Sequence, residues 1–289
     1  MPVADFVLFR LAHLFSKSEV AHSDEMKAAM RDASADAAYR ADEVARVMAA
    51  VERYNIRVAG ADVLDLGCND GALTAQYAAR APHSVLGVDI DAAAVARAQR
   101  ERARPGVEYR VSGTTDLPVD SVSIDTIVCY DVFEHVAKPS TLLAECRRVL
   151  RPGGKMLIGS WGWFHPFAPH LWSAMPVPWA HVFVSERTLF RACRRVYHAP
   201  WYTPMRHDFD AAGNRKPDNY QEESISTDYL NKYLLRDFER VFEESGMTWR
   251  LDLQPFGAAP WTRPILSVPI VREFLHGYFW AVLEKPAGN

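Results

Sequence analysis

The run Val63-Leu-Asp-Leu-Gly-Cys-Asn-Asp-Gly71 puts a Gly-x-x-x-Gly turn between a short apolar strand and a helical segment. Gly67 lets the chain turn tightly at the strand's end and leaves room for a ligand against the main chain. Asn69 tolerates a left-handed conformation better than most residues, so it suits the turn. Asp65 stands at the strand's carboxyl edge, where open α/β sheets bind ligands, and can accept hydrogen bonds from a ligand amine. Further on, Leu86-Gly-Val-Asp-Ile-Asp91 ends a second strand at Asp89, whose carboxylate can hold both hydroxyls of a ribose. The dinucleotide spacing G-x-G-x-x-G is missing, and Asp65 would repel a pyrophosphate, so a nicotinamide-dependent oxidoreductase is only an alternative. A positively charged sulfonium ligand with an amino-acid tail fits these acids better.

A second group follows a later strand. Asp131-Val-Phe-Glu134-His135 presents two carboxylates and an imidazole in one short stretch. Glu134 and His135 can simply brace the next helix. Alternatively, Asp131, Glu134 and His135 can hold a divalent metal, Mg²⁺ on the carboxylates or Mn²⁺ or Fe²⁺ with the imidazole. The metal-free version is preferred. Asp131 and His135 are then candidate catalytic groups beside His165, His170 and His181, one of which would take the proton from a hydroxyl nucleophile. Each of these histidines can also pack among aromatics and bond to backbone.

The elements that must position these groups alternate. Strands read at Val63–Leu66, Ser84–Val88, Val107–Val111, Ile124–Tyr130 and Lys155–Gly159. Helices read at Ala72–Ala79, Ala92–Arg102 and Pro139–Leu150, the last stopped by Arg151-Pro-Gly-Gly154. Such alternation predicts a Rossmann-like doubly wound α/β sheet, mostly parallel. A helix over Thr227–Ser245 and strands Thr248–Leu253 and Tyr278–Glu284 close the chain, with an antiparallel last strand. Residues 1–58 read as an N-terminal helical segment or lid, with helices at 6–15 and Ala33–Tyr54, and residues 59–289 as the main domain. Within it, residues 160–224 form an aromatic-rich insertion after the fifth strand, a substrate cap whose Arg187, Arg191, Arg194 and Arg195 share a basic helix face.

The chain has 289 residues, 49% of them hydrophobic and 24% charged, as ordinary globular domains do. A net charge of −3 gives no general pull toward nucleic acid, and none is expected as a partner. Cys68, Cys129, Cys146 and Cys193 are scattered without a C-x-x-C pair, which points to a reducing, cytoplasmic setting. The apolar run at 6–15 is too short to span a bilayer and lacks a cleavage site, so no transmembrane segment or signal peptide is expected. It can instead close over a ligand, form a homodimer seam or touch a membrane surface.

Taken together, Leu64-Asp-Leu-Gly-Cys68, Gly87-Val-Asp89, Asp116-Leu-Pro118, Asp125-Thr-Ile-Val128, Phe133-Glu-His-Val136 and Arg147-Arg-Val-Leu-Arg-Pro-Gly-Gly154 resemble the class I S-adenosylmethionine-dependent methyltransferases. Within that class the chain is similar to the broad group that includes ubiquinone- and menaquinone-biosynthesis enzymes. The resemblance implies S-adenosylmethionine as cofactor, with Asp65, Gly67, Asn69 and Gly71 along its methionine part and Asp89 on its ribose. It also implies Ile90 on the adenine, Gly113 and Thr114 at the adenine's edge, and Tyr130 and Asp131 beside the methyl group. Relatives often carry an Asp at Gly113, so Thr114, Asp116 or a water would take its role. The expected reaction is methyl transfer to a hydroxyl oxygen of a small molecule, such as a natural product, phenol or sugar. A metal-dependent RNA 2′-O-methyltransferase is the alternative, disfavoured by the slightly acidic balance and the absence of an appended basic domain, while a bound metal is disfavoured because Asp131 is shorter than the Glu such families use.

Overall fold

The structure, a computed structural model, describes residues 3–18, 27–28, 33–210, 212–218, 220–256 and 260–287. These fall into two compact units. One comprises residues 43–162 with 228–289, the other residues 1–42 with 163–227.

The first unit is built on a sheet that is seven-stranded among the described residues. Its strands are β1 (Asp62–Leu66), β2 (Ser84–Asp89), β3 (Val107–Val111), β4 (Ile124–Tyr130), β5 (Leu150–Ser160), β6 (Thr248–Pro255) and β7 (His276–Glu284). They lie in the order β3-β2-β1-β4-β5-β7-β6. The first five pair in parallel, and β7 runs antiparallel to both β5 and β6. This is the expected Rossmann-like sheet, mostly parallel with an antiparallel last strand. The order reverses between β2–β1 and β1–β4, and a doubly wound sheet opens its ligand crevice at that switch.

The strands alternate their side chains between two cores. Leu64, Leu66, Ile127, Cys129, Met156, Ile158, Phe279 and Ala281 meet α5 (Pro139–Val149) and α8 (Leu235–Glu244). Val63, Val128, Leu157 and Trp280 meet Val47, Met48 and Val51, on the part of α2 (Ala33–Arg53) that belongs to this unit. Helices α3 (Thr74–Ala78) and α4 (Ala92–Glu101) follow β1 and β2. Asp91 caps α4 by accepting from the Ala93 and Ala94 amides. Where β1, β4 and β5 begin, Arg151 donates to Asp62 Oδ2 at 2.9 Å and to Asp125 Oδ2 at 2.8 Å.

Two element bounds depart furthest from expectation. The stretch Arg151–Gly154 is part of β5 and not a separate turn. The register jumps there from Ile124↔Leu150 to Thr126↔Lys155, so the extra residues bulge while the ladder continues. The helix expected at Thr227–Ser245 begins only at Leu235. Before it, Lys232 has a left-handed φ of 56°, and Asn231 Nδ2 donates to the Phe133 and Val136 carbonyls. Those long-range bonds outcompete helix in that stretch. The helix is capped from a distance, as Glu273 of α9 (Pro269–Leu275) accepts from the Leu235 and Arg236 amides.

In the other unit, α1 (Val3–Phe15) lies on α7 (Glu186–Tyr197), with α6 at Ala180–Phe183. Leu8 and Ala12 are buried, and Asp5, 1% exposed, pairs with Arg191 at 3.4 Å. Arg187 and Arg194 pair with Glu223 and Asp218, so these members of the basic helix face are occupied by ion pairs within the unit. Part of the aromatic set is core: Phe167, Phe190, Tyr197 and Tyr202 are buried. Trp172 and Trp201 instead line a cavity of about 200 Å³ with His13 and Lys17. No helix among the described residues is long and apolar enough to cross a membrane.

Candidate functional site

After β1 the chain turns through Gly67, Asn69 and Gly71, all with positive φ of 81°, 46° and 76°. The Gly67 and Cys68 amides both donate to the Val88 carbonyl, which fastens the turn to the end of β2. Asp89 Oδ2 accepts from the Asn69 amide at 2.8 Å, and its Oδ1 from the Asp91 amide at 2.9 Å. One carboxylate therefore joins the two ligand-facing turns and keeps further lone pairs for a ligand. Gly71 and Gly87 are needed for close packing, because a Cβ on either would come within 2.7 and 2.8 Å of the Tyr109 ring.

Asp65 is 2% exposed and accepts from Thr74 Oγ1 at 2.5 Å. Burial pushes its carboxyl up to about 7, against the Thr74 hydrogen bond and with help from the charge of Asp89. A neutral pocket would leave this acid protonated, whereas a bound ammonium would favour the charge. Ile90, which follows Asp89 in the chain, is exposed, as a surface for a flat apolar group would be. Ser112 donates to the Asp89 carbonyl, and Gly113 to that of Asp116, so the loop bearing Gly113 and Thr114 closes on itself beside the β2 end.

The second group stands at the end of β4. Asp131 has a φ of 52°, donates from its amide to the Gly159 carbonyl and accepts from Tyr278 Oη at 2.7 Å on Oδ1. Glu134 accepts from Ser160 Oγ at 2.6 Å and is 4% exposed. Burial, and then the neighbouring Glu134 charge, push the Asp131 carboxyl well above its usual range, opposed by the Tyr278 hydrogen bond. Burial raises Glu134 to about 7 against the Ser160 bond. His135 Nδ1 lies 2.7 Å from the Tyr229 carbonyl, and burial lowers its pKa. With Nδ1 donating there, His135 Nε2 faces Glu134 Oε1 at 4.0 Å. Tyr130 packs against both Tyr278 and Trp280, at 6.0 and 5.9 Å between ring centres, and its hydroxyl lies 3.5 Å from Arg46.

His165, His170 and His181 belong to the other unit. His165 Nδ1 accepts from the Phe167 amide, and His170 holds a left-handed φ of 58°. His181 Nε2 lies 2.7 Å from the Trp163 carbonyl, edge-on to that ring, and burial pushes its pKa down to about 4.

Thr74, Ser160 and Tyr278, which bond Asp65, Glu134 and Asp131, are not among the residues the sequence pattern singles out. No local pattern points to Tyr278, because the glycine that leaves space for its ring, Gly159, is brought beside it only by the pairing of β5 with β7.

Residues 64–158 match a family described as methyltransferase domain. The chain is 39% identical over 110 residues to a protein of Mycolicibacterium smegmatis named a probable S-adenosylmethionine-dependent methyltransferase, covering 38% of this chain and 41% of that one. It is 35% identical over 106 residues to a ubiquinone biosynthesis O-methyltransferase of Xanthomonas oryzae, covering 36% and 44%. The chain thus spans about two fifths of the length of these curated relatives. Among solved structures it resembles an S-adenosylmethionine-dependent methyltransferase from Mesorhizobium loti, with a TM-score of 0.51 and 16% identity over 81% of this chain and 95% of that one. At that identity the likeness speaks for the fold.

Proposed function

Residues 64–158 form a methyltransferase domain of the S-adenosylmethionine-dependent family, and on that premise we propose that the whole chain methylates a hydroxyl oxygen of a small molecule. Phenols, sugars and natural products are the candidate acceptors. The observation that carries the cofactor half is the pair of carboxylates, Asp65 and Asp89, set on a fastened left-handed turn at the switch point of the sheet. The oxygen half draws on the ubiquinone O-methyltransferase name of one relative.

S-adenosylmethionine supplies an electrophilic methyl group on a sulfonium, so the protein's task is positioning and removal of one proton. Asp65 accepts from the amino group of the methionine part, and Gly67, Asn69 and Gly71 let the main chain approach it. Asp89 holds the ribose hydroxyls with the lone pairs its backbone donors leave. Ile90 packs on the adenine, and Gly113 and Thr114 border its edge. Tyr130 and Asp131 stand beside the methyl group. The proton passes to a base, for which Asp131, His135, His165, His170 and His181 are the candidates. Incubation with isotopically methyl-labelled cofactor and a panel of catechols, sugars and RNA tests this reading, with the new bond assigned by NMR. Label on nitrogen, carbon or RNA alone would overturn it.

Two results are expected at the cofactor site. Asp89→Ala should weaken S-adenosylmethionine binding by about 1–3 kcal/mol, because a charged acceptor is lost from both the ligand and the turn. Calorimetry showing unchanged affinity in the folded variant would remove Asp89 from the site. Affinity should also depend on pH. A cation is held by the ionised form of Asp65, which is lost as pH falls through about 7. Binding measured from pH 8.5 down to pH 5.5 should weaken, and Asp65→Asn should be weaker and flat across that range. A wild type as flat as the variant would refute the role of Asp65.

A further inference from the structure

Tyr278 lies on β7 and Asp131 at the end of β4, with β5 between them. The two side chains still meet, at 2.7 Å from Tyr278 Oη to Asp131 Oδ1. Gly159 on β5 makes this possible, because a Cβ there would come within 2.7 Å of the Tyr278 hydroxyl and 2.6 Å of the Trp280 ring. Gly159 also accepts from the Asp131 amide, which holds the left-handed backbone at Asp131. The phenol is fixed in turn by Trp161 at 5.8 Å, Tyr130 at 6.0 Å and Trp280 at 5.3 Å between ring centres. The carboxyl therefore has a set direction, given by a hydroxyl that can serve it as donor. Glu134 and Glu43 both act on Asp131 with acidic charges, and the Tyr130 hydroxyl is a second hydrogen-bond donor to it. Among these acids the Tyr278 and Tyr130 hydroxyls are the donors that favour an ionised Asp131, and a nearby cation would favour it further.

We propose that Tyr278 is a positioning residue, holding the Asp131 carboxylate toward the sulfonium so that the cationic cofactor binds in preference to its neutral product. The proposal rests on the reading that Asp131 stands beside the methyl group. A directed carboxylate attracts a sulfonium and gains nothing from the thioether of S-adenosylhomocysteine. The discrimination would help product leave after transfer. Tyr278→Phe keeps the ring and removes only the hydroxyl, so a packing role would change both affinities together, and a positioning role would change their ratio.

The experiment measures dissociation constants for S-adenosylmethionine and S-adenosylhomocysteine by calorimetry in wild type, Tyr278→Phe, Asp131→Ala and the double variant. Melting curves confirm that each is folded. The expected result is a 3- to 10-fold lower preference for S-adenosylmethionine in Tyr278→Phe, of the size of one hydrogen bond to a charged group. In the Asp131→Ala background, Tyr278→Phe should change the ratio no further, since the hydroxyl then has no carboxylate to direct. An unchanged ratio in the single variant, or an equal change in both backgrounds, would overturn the proposal. Failure of wild type to bind either ligand would instead overturn the cofactor reading on which it rests.

Discussion

Gly67→Ala should cost the fold about 2–4 kcal/mol and abolish cofactor binding, the largest expected effect of any single methyl group in the site. Two penalties add at this position. Its φ of 81° is left-handed, which an alanine adopts at a cost of about 1 kcal/mol. Its Cβ would also sit 2.1 Å from Val132 Cγ2 and 3.1 Å from Val132 Cβ. Val132 is short, branched and packed against the main core, so it cannot swing away as a long side chain would. Relief requires the turn after β1 to move from the segment after β4, and these are the two segments that carry Asp65 and Asp131. Gly153→Ala separates the penalties, because Gly153 has a φ of 78° and nothing within 4 Å of an added Cβ. That variant should lose only the strain, about 1 kcal/mol, and bind the cofactor normally. Urea unfolding of both variants checks the comparison. Equal losses would mean that the close approach of Val132 contributes nothing.

The contrast between Gly67 and Gly153 also marks what a sequence can reveal. The Gly-x-x-x-Gly turn announces itself because the strand before it, the acid within it and Asp89 beyond it lie within one βαβ unit. The parallel strands were legible for the same reason, each having its apolar run and its helix nearby. Tyr278 was not, because its partner Asp131 is brought to it by the antiparallel pairing of β5 with β7, a contact no local pattern encodes. The start of α8 was misplaced by the same cause: Asn231 bonds to carbonyls far back in the chain, and Glu273 caps the helix from further on. Period-3.6 patterning around residues 227–234 suggests helix, but long-range bonds decide the backbone there. Of the five candidate catalytic groups, the sequence placed Asp131 and His135 correctly after β4. It set the other three in a cap insertion at 160–224 but gave no sign that this stretch forms one compact unit with α1.

His276 takes part in another such long-range bond, and its replacement should have a cost that depends on pH. The ring is fully buried between two backbone partners: Nε2 accepts from the Gly162 amide at 2.9 Å, and Nδ1 donates to the Arg272 carbonyl at 2.8 Å. It thereby ties the chain leaving β5 to the start of β7. This pattern needs the neutral ring, since a protonated Nε2 would face the Gly162 amide as a second donor. Burial accordingly pushes its pKa down to about 4. An unfolded chain takes up the proton near 6.5, so between 6.5 and 4 the unfolded state binds more protons and the folded state loses stability as pH falls. The full loss is about 3 kcal/mol for this one group, from the size of the shift. Asp65 and Glu134, raised to about 7, act in the opposite sense, losing stability as pH rises, so the wild-type curve alone would hide the effect. A difference against His276→Asn isolates it. At pH 8 the variant should be about 2–4 kcal/mol less stable, having lost two buried hydrogen bonds. As pH falls through 6 toward 4.5 the deficit should shrink by most of the linkage energy, because only the wild type must keep a buried imidazole neutral. Urea midpoints at pH 8, 6 and 4.5 measure it. A deficit that stays constant across the three would show that the ring is not held neutral, and that the bond from Gly162 is not what joins β5 to β7.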